Sequence, residues 1–121
     1  MGGKSERQSR TAEGGDDGHS GTDRHDVALA GALASLESPG EAMAFLRDLC
    51  TPAEIRAMAE RWHVAQLLDE GVLSYRDINA ETGVSTTTVA RVARFLNDEP
   101  NRGYRLVLER MKNAGSRKRS P

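Results

Sequence analysis

The sequence predicts an all-α domain built around a helix-turn-helix, on three observations. Apolar residues recur at helical spacing in successive stretches, helix-start signals repeat along the chain, and no alternating run is long enough to make a strand. The 121 residues allow one domain, expected over 23–113, between a disordered arm (1–22) and a flexible basic tail (114–121).

The arm, MGGKSERQSRTAEGGDDGHSGT, has no large apolar side chain after Met1 and cannot bury enough surface to order itself. His19 is incidental within it; a phosphate-contacting arm or a cloning remnant are the other readings. A first helix is expected from Arg24 to Leu36, where Val27, Leu29, Ala30, Leu33, Ala34 and Leu36 give a broad apolar surface. Ser38-Pro39-Gly40-Glu41 combines a cap, a proline at the first helical position and a capping-box glutamate, so a second helix starts there and stops near Cys50. Thr51-Pro52-Ala53-Glu54 repeats the signal and opens the longest helix, which ends before Gly71. Its stripe of Ile55, Met58, Ala59, Trp62 and Ala65 is widened by Val64, Leu67 and Leu68 beyond one face. Helices this apolar need more neighbours than a short helical domain supplies, so the first three are expected to pack against a second copy of the chain.

Residues 74–97 are the reading head. Ser74 stands as an N-cap with Asp77 as the acid of a weak capping box, which starts a helix from Tyr75 to Thr82. Gly83 ends it, because glycine takes the left-handed conformation without the clash a Cβ brings. Ser85 caps the next helix, whose Val89, Val92, Ala93 and Leu96 form a stripe facing the same core as Ile78 and Val84. The opposite face collects Thr87, Ala90, Arg91 and Arg94, with Thr86 and Thr88 at its edges. A small-residue first turn lets a helix reach the floor of the DNA major groove, hydroxyls and methyls meet base edges, and arginines reach phosphate or guanine. The plainer alternative is a well-capped helix with solvated arginines, since two helices on a glycine turn also occur in proteins that never touch DNA. After a break at Asn97–Asn101, a last helix is expected over about Gly103 to Asn113, with Tyr104, Val107, Leu108 and Met111 on one side.

The net charge of −1 conceals a basic end, where Arg102, Arg105, Arg110, Lys112, Arg117, Lys118 and Arg119 face only Glu109. Such an end adds salt-sensitive phosphate attraction. One cysteine excludes an internal disulfide and a cysteine-rich zinc site, and Cys50 reads as a buried small hydrophobe. No apolar run matches a membrane span or a signal peptide, so a cytoplasmic protein is expected. His25 and His63 have no nucleophile or metal-ligand spacing around them, so neither an enzyme nor a metal or cofactor is expected; His63 reads as a packed ring or a partner of Glu60.

From Leu49 to Leu96, LCTPAEIRAMAERWHVAQLLDEG and SYRDINAETGVSTTTVARVARFLND resemble the Trp repressor family, in its YerC/YecD-type branch. The resemblance implies six helices in an intertwined homodimer, with the first three and the last interlocked. Two reading heads would then enter successive major grooves of a palindromic operator, with half-sites about 34–36 Å apart. Carried position by position, it places Arg76, Asn79, Ser85, Thr86, Thr87, Thr88 and Ala90 against DNA. Asn79 replaces a lysine, and Thr86 and Thr87 replace small or branched apolar residues, which implies a different operator. Thr51, Arg61, Thr88 and Arg91 fall where the family surrounds bound tryptophan, and both arginines suit a carboxylate or an indole face. Phe95, however, stands where a serine helps recognise the amino group, and Trp62 replaces a smaller residue. Thr51, Arg61, Thr88, Arg91 and Phe95 are therefore expected to serve an unidentified small-molecule effector other than L-tryptophan. The alternative for Arg61 and Arg91 is ion pairing within the dimer, for instance with Glu60 or Asp69. The function expected is a homodimeric, sequence-specific regulator of transcription on double-stranded DNA, repressing it. A helical protein-interaction module or co-regulator is the rival, because Asp77, Glu81 and Asp98 offset Arg76, Arg91 and Arg94.

Overall fold

The computed structural model describes the backbone over residues 21–119 and side chains over 23–115. All regular structure among these residues is helical: α1 (Gly21–Ala34), α2 (Pro39–Leu49), α3 (Pro52–Glu70), α4 (Tyr75–Thr82), α5 (Thr86–Asn97) and α6 (Gly103–Arg119). The arm expected over 1–22 lies outside the described residues, except that Gly21 and Thr22 already stand in α1. The chain divides into two compact units between Leu49 and Cys50.

In the first unit, α1 closes at Ala34, two residues before the expected Leu36. Ser35 Oγ donates back to the Ala32 carbonyl at 2.7 Å, and the Leu36 N–H to the Leu33 carbonyl at 3.2 Å. At the start of α2, Ser38 Oγ accepts from the Glu41 N–H at 3.1 Å, as a cap should. The Glu41 carboxylate reaches one residue further back than a capping box does and accepts the Glu37 N–H at 2.8 Å. No described side chain of this unit is buried, and Val27 is 71% exposed, with Leu29, Leu33, Met43 and Leu49 also exposed. The broad apolar surface expected of α1 is therefore present and uncovered.

The second unit is built on α5, which contacts α3, α4 and α6. Its stripe of Val89, Val92, Ala93 and Leu96 is buried. Val89 and Val92 join Ile78, Val84, Val64, Ala65 and Leu67 in one core, with Trp62, Leu68, Leu73 and Tyr104 packed at its edge. The expected stripe of α3 is thus shifted toward its C-terminal half: Ile55 and Met58 are half-buried and Ala59 is exposed. α3 opens on a complete capping box, Thr51 Oγ1 accepting the Glu54 N–H at 3.1 Å while the Glu54 carboxylate accepts the Thr51 N–H at 2.8 Å. It ends at Gly71 with φ 73°.

α6 continues to Arg119 instead of ending near Asn113. Of its expected apolar side, Leu108 is buried, Tyr104 is half-buried, and Val107 and Met111 are exposed. Its polar side is tied down: Asp69 of α3 accepts from Arg105 Nη1 at 2.8 Å and from Lys112 Nζ at 2.8 Å. Arg105 Nη2 also donates to Asn97 Oδ1 at the end of α5, at 2.7 Å. Asp69, named as an alternative partner of Arg61 or Arg91, pairs within the chain with Arg105 and Lys112 of α6. Cys50 is half-buried where a buried residue was expected, and His63 is exposed and unpaired among the described residues. No helix among the described residues is long and apolar enough to cross a membrane.

Candidate nucleic-acid interface

The head is held together by short-range polar contacts that set the angle between α4 and α5. Ser74 Oγ accepts the Asp77 N–H at 3.0 Å, and the Asp77 carboxylate accepts the Ser74 N–H at 3.3 Å. The acid beside Arg76 is therefore engaged in capping α4, where the helix dipole favours negative charge. Gly83 closes α4 with φ 80°, its N–H donating to the Asn79 carbonyl at 2.8 Å. Both main-chain polar groups of Val84 are met by side chains of α4. The Asn79 amide donates to the Val84 carbonyl at 2.9 Å, and the Val84 N–H donates to Thr82 Oγ1 at 3.0 Å. Thr82 Oγ1 donates in turn to the Ile78 carbonyl at 2.7 Å. With the Val84 side chain buried, the turn is fixed from both its polar and its apolar sides.

Ser85 then caps α5, accepting the Thr88 N–H at 3.1 Å and donating its own hydroxyl to Thr88 Oγ1 at 3.1 Å. Of the residues expected against DNA, Asn79, Ser85 and Thr88 thus use polar groups inside the head. Arg76, Thr86, Thr87, Ala90, Arg91 and Arg94 have exposed side chains. Thr86 and Thr87 lie in the first turn of α5, with no larger side chain before them on the helix. A helix with such a first turn can approach base edges closely, and Ala90 continues the low relief one turn on.

Arg91 and Arg94 are arranged around Phe95. The Arg91 guanidinium carbon lies 4.7 Å from the ring centroid and that of Arg94 5.1 Å from it. Arg94 is also paired to Glu99, its Nε 3.3 Å from the carboxylate. Beyond the spacing of Arg91 and Phe95, one helical turn apart, no residue pattern announces this cluster.

Arg61, Arg91 and Phe95 line one open cavity of about 510 Å³, with Trp62, Tyr104 and Val107 completing its apolar walls. Asn101 and Gly103, from the segment entering α6, also line it. Thr51 and Thr88 are not among its walls: Thr51 caps α3 and Thr88 is held by Ser85. The contribution of α6 to this cavity was not visible in the sequence, because Tyr104 and Val107 read there only as the apolar side of a helix. Its volume lies within the range of small-molecule sites, and its two guanidinium groups can receive an anionic group.

Comparison with known proteins places this arrangement. The chain is 43% identical over 84 residues to the uncharacterized protein YerC of Bacillus subtilis (strain 168), an alignment covering 69% of this chain and 79% of YerC. Its structure is similar to the crystal structure of a TrpR like protein from Eubacterium eligens ATCC 27750, with a TM-score of 0.66 and 36% sequence identity, over 80% of this chain and 96% of that one. The family model of the Trp repressor protein matches residues 26–112, which takes in the uncovered helices of the first unit as well as the head. With six helices in this order among the described residues, a turn-pinned head and a YerC-like sequence, the chain belongs to the Trp repressor family of DNA-binding regulators.

Proposed function

We propose that the protein is a sequence-specific transcriptional regulator that binds a palindromic operator as a homodimer, repressing transcription, without control by L-tryptophan. The observation that carries this reading is the division of α5: Val89, Val92, Ala93 and Leu96 are buried, while Thr86, Thr87, Ala90, Arg91 and Arg94 face outward from a rigidly capped start. Thr86, Thr87 and Ala90 read base edges, and Arg76, Arg91 and Arg94 contact phosphate or guanine. Homodimerisation is supported by the uncovered apolar residues of α1 and α2, which no described side chain of that unit buries. Independence from tryptophan is supported by Phe95, whose ring stands in the cavity wall without a hydroxyl to offer an amino group.

Selection of bound sites from random duplex DNA by the purified protein, with and without L-tryptophan, tests the reading. Enrichment of the same palindrome in both arms is expected. Enrichment only with tryptophan would overturn the effector assignment while keeping the DNA-binding one.

A second reading, a module that binds another protein, draws on the same apolar helices and on the capture of Arg94 by Glu99. Salt separates the two. Binding driven by phosphate weakens steeply as salt rises, because each neutralised phosphate releases counterions, whereas an apolar protein interface responds far less.

A further inference from the structure

We infer that Phe95 is a positioning residue for DNA binding, holding Arg91 and Arg94 together as a preformed cationic pair on the outer face of α5. The inference rests on the DNA-binding reading above. Both guanidinium groups lie within about 6 Å of the centroid of this one ring, at 4.7 Å and 5.1 Å, inside the range in which an aromatic quadrupole attracts a cation. Phe95 itself is half-buried and anchored in the cavity wall beside Val92, so the ring is a fixed platform. Arginine carries much rotamer freedom, and a side chain ordered before binding loses less of it on contact with phosphate. Glu99 restrains the same guanidinium group of Arg94, with its carboxylate 3.3 Å from Nε. An aliphatic residue in place of Phe95 would fill the same space and offer the guanidinium groups nothing.

The test uses the full chain and the duplex that the wild-type protein selects. Phe95→Leu is expected to weaken binding about tenfold, and Phe95→Tyr, which keeps the ring, to stay within about twofold of wild type. Because Phe95→Leu removes no charge, the slope of affinity against salt should be unchanged, whereas Arg91→Ala and Arg94→Ala each lower it. In a variant carrying both Arg91→Ala and Arg94→Ala, Phe95→Leu should have no further effect on affinity. Equal affinity of Phe95→Leu and wild type overturns the inference, and so does a loss that persists in the doubly substituted background, which marks the ring as merely structural. In the free protein, ring-current shifts on the δ protons of Arg91 and Arg94, present in wild type and absent in Phe95→Leu, report the packing independently of DNA. Their absence from wild type overturns the inference and leaves the DNA reading intact. Failure of the wild-type protein to select any duplex overturns the DNA reading and this role of the ring together, whatever the shifts show.

Discussion

The side-chain amide of Asn79 donates to the main-chain carbonyl of Val84 at 2.9 Å, spanning the turn between α4 and α5 from one helix to the start of the next. A turn of this kind exposes polar groups that the helices cannot satisfy, and α4 supplies partners for both groups of Val84. Orientation of α5 is thereby set by side chains of α4 as well as by the burial of Ile78 and Val89 in one core.

Asn79→Ala should destabilise the protein by about 1–2 kcal/mol, the cost of leaving a half-buried carbonyl without its partner. Thr82→Val, which keeps the shape and removes the hydroxyl, should cost a similar amount through the Val84 N–H. Urea denaturation measures both. A loss of DNA affinity in Asn79→Ala with unchanged stability would instead favour the direct contact with DNA that the family resemblance implied.

Gly83→Ala isolates the backbone contribution at the same turn. An added Cβ would meet nothing within 4 Å, so no clash with a neighbour contributes, and only the φ of 80° is unfavourable for an L-residue. A cost of about 1–2 kcal/mol is expected. Gly83→Asn should cost less, because asparagine tolerates this region better. Thermal unfolding of the two variants gives the comparison, and equal losses would count against a conformational origin.

How far the sequence revealed this head depended on the range of each interaction. Ser74 with Asp77, Thr51 with Glu54, and Ser85 before Thr88 are caps made within three residues, so residue type and spacing were enough to find them. The buried stripe of α5 was legible for the same reason, because 3.6-residue periodicity is local. Asn79 was placed against DNA by the family resemblance alone, and the bond from its amide to the Val84 carbonyl spans a turn that no local pattern announces. The link of Asp69 to Arg105 and of Arg105 to Asn97 spans 36 and 8 residues with no repeating pattern to announce it. Nor did Asn113-Ala114-Gly115-Ser116 look helical, although α6 runs through it. Low intrinsic propensity at Asn, Gly and Ser made the helix appear to stop early.

Asp69 gives the fold a defined response to acid. The hydrogen bond from Lys112, together with its charge and that of Arg105, holds the Asp69 carboxyl below the usual carboxylate range despite the opposing effect of burial. A depressed folded-state value means that the contribution is complete above the unfolded-state value of about 3.9 and is lost as pH falls through the lower folded-state value. Asp69→Asn should therefore be less stable than wild type at neutral pH, with the two converging as the pH falls below about 3.9. Melting temperatures of both proteins from neutral to acid pH provide the check, and a constant difference down to the lowest pH would remove Asp69 from the account.

Base reading by α5 and phosphate binding by α4 should separate by mutation. Thr87→Ala is expected to change which sequences are bound, with about 1–3 kcal/mol for each lost base contact, and to leave affinity for unrelated duplexes nearly unaltered. Arg76→Ala should weaken binding to all sequences and reduce the salt slope by about 1. Competition titrations with specific and nonspecific duplexes distinguish these patterns. If Thr86→Ala and Thr87→Ala both leave sequence preference untouched, the first turn of α5 does not face the bases.

The uncovered helices of the first unit lead to the last expectation. Exposed Val27, Leu29, Leu33 and Met43 are too many apolar side chains for α1 and α2 to hold in water without a covering surface. A second copy supplies such a surface by symmetry, each chain covering what the other exposes. Leu33→Glu would place a charge where the covered face excludes water, so the dimer dissociation constant should rise on the order of 100-fold, while the second unit's own core of Val64, Ile78, Val89 and Val92 stays intact. Sedimentation equilibrium reads the assembly state and circular dichroism the helical content. A wild-type protein that stays monomeric at high concentration would sink the dimer, and with it the expectation that two heads meet the two halves of a palindrome.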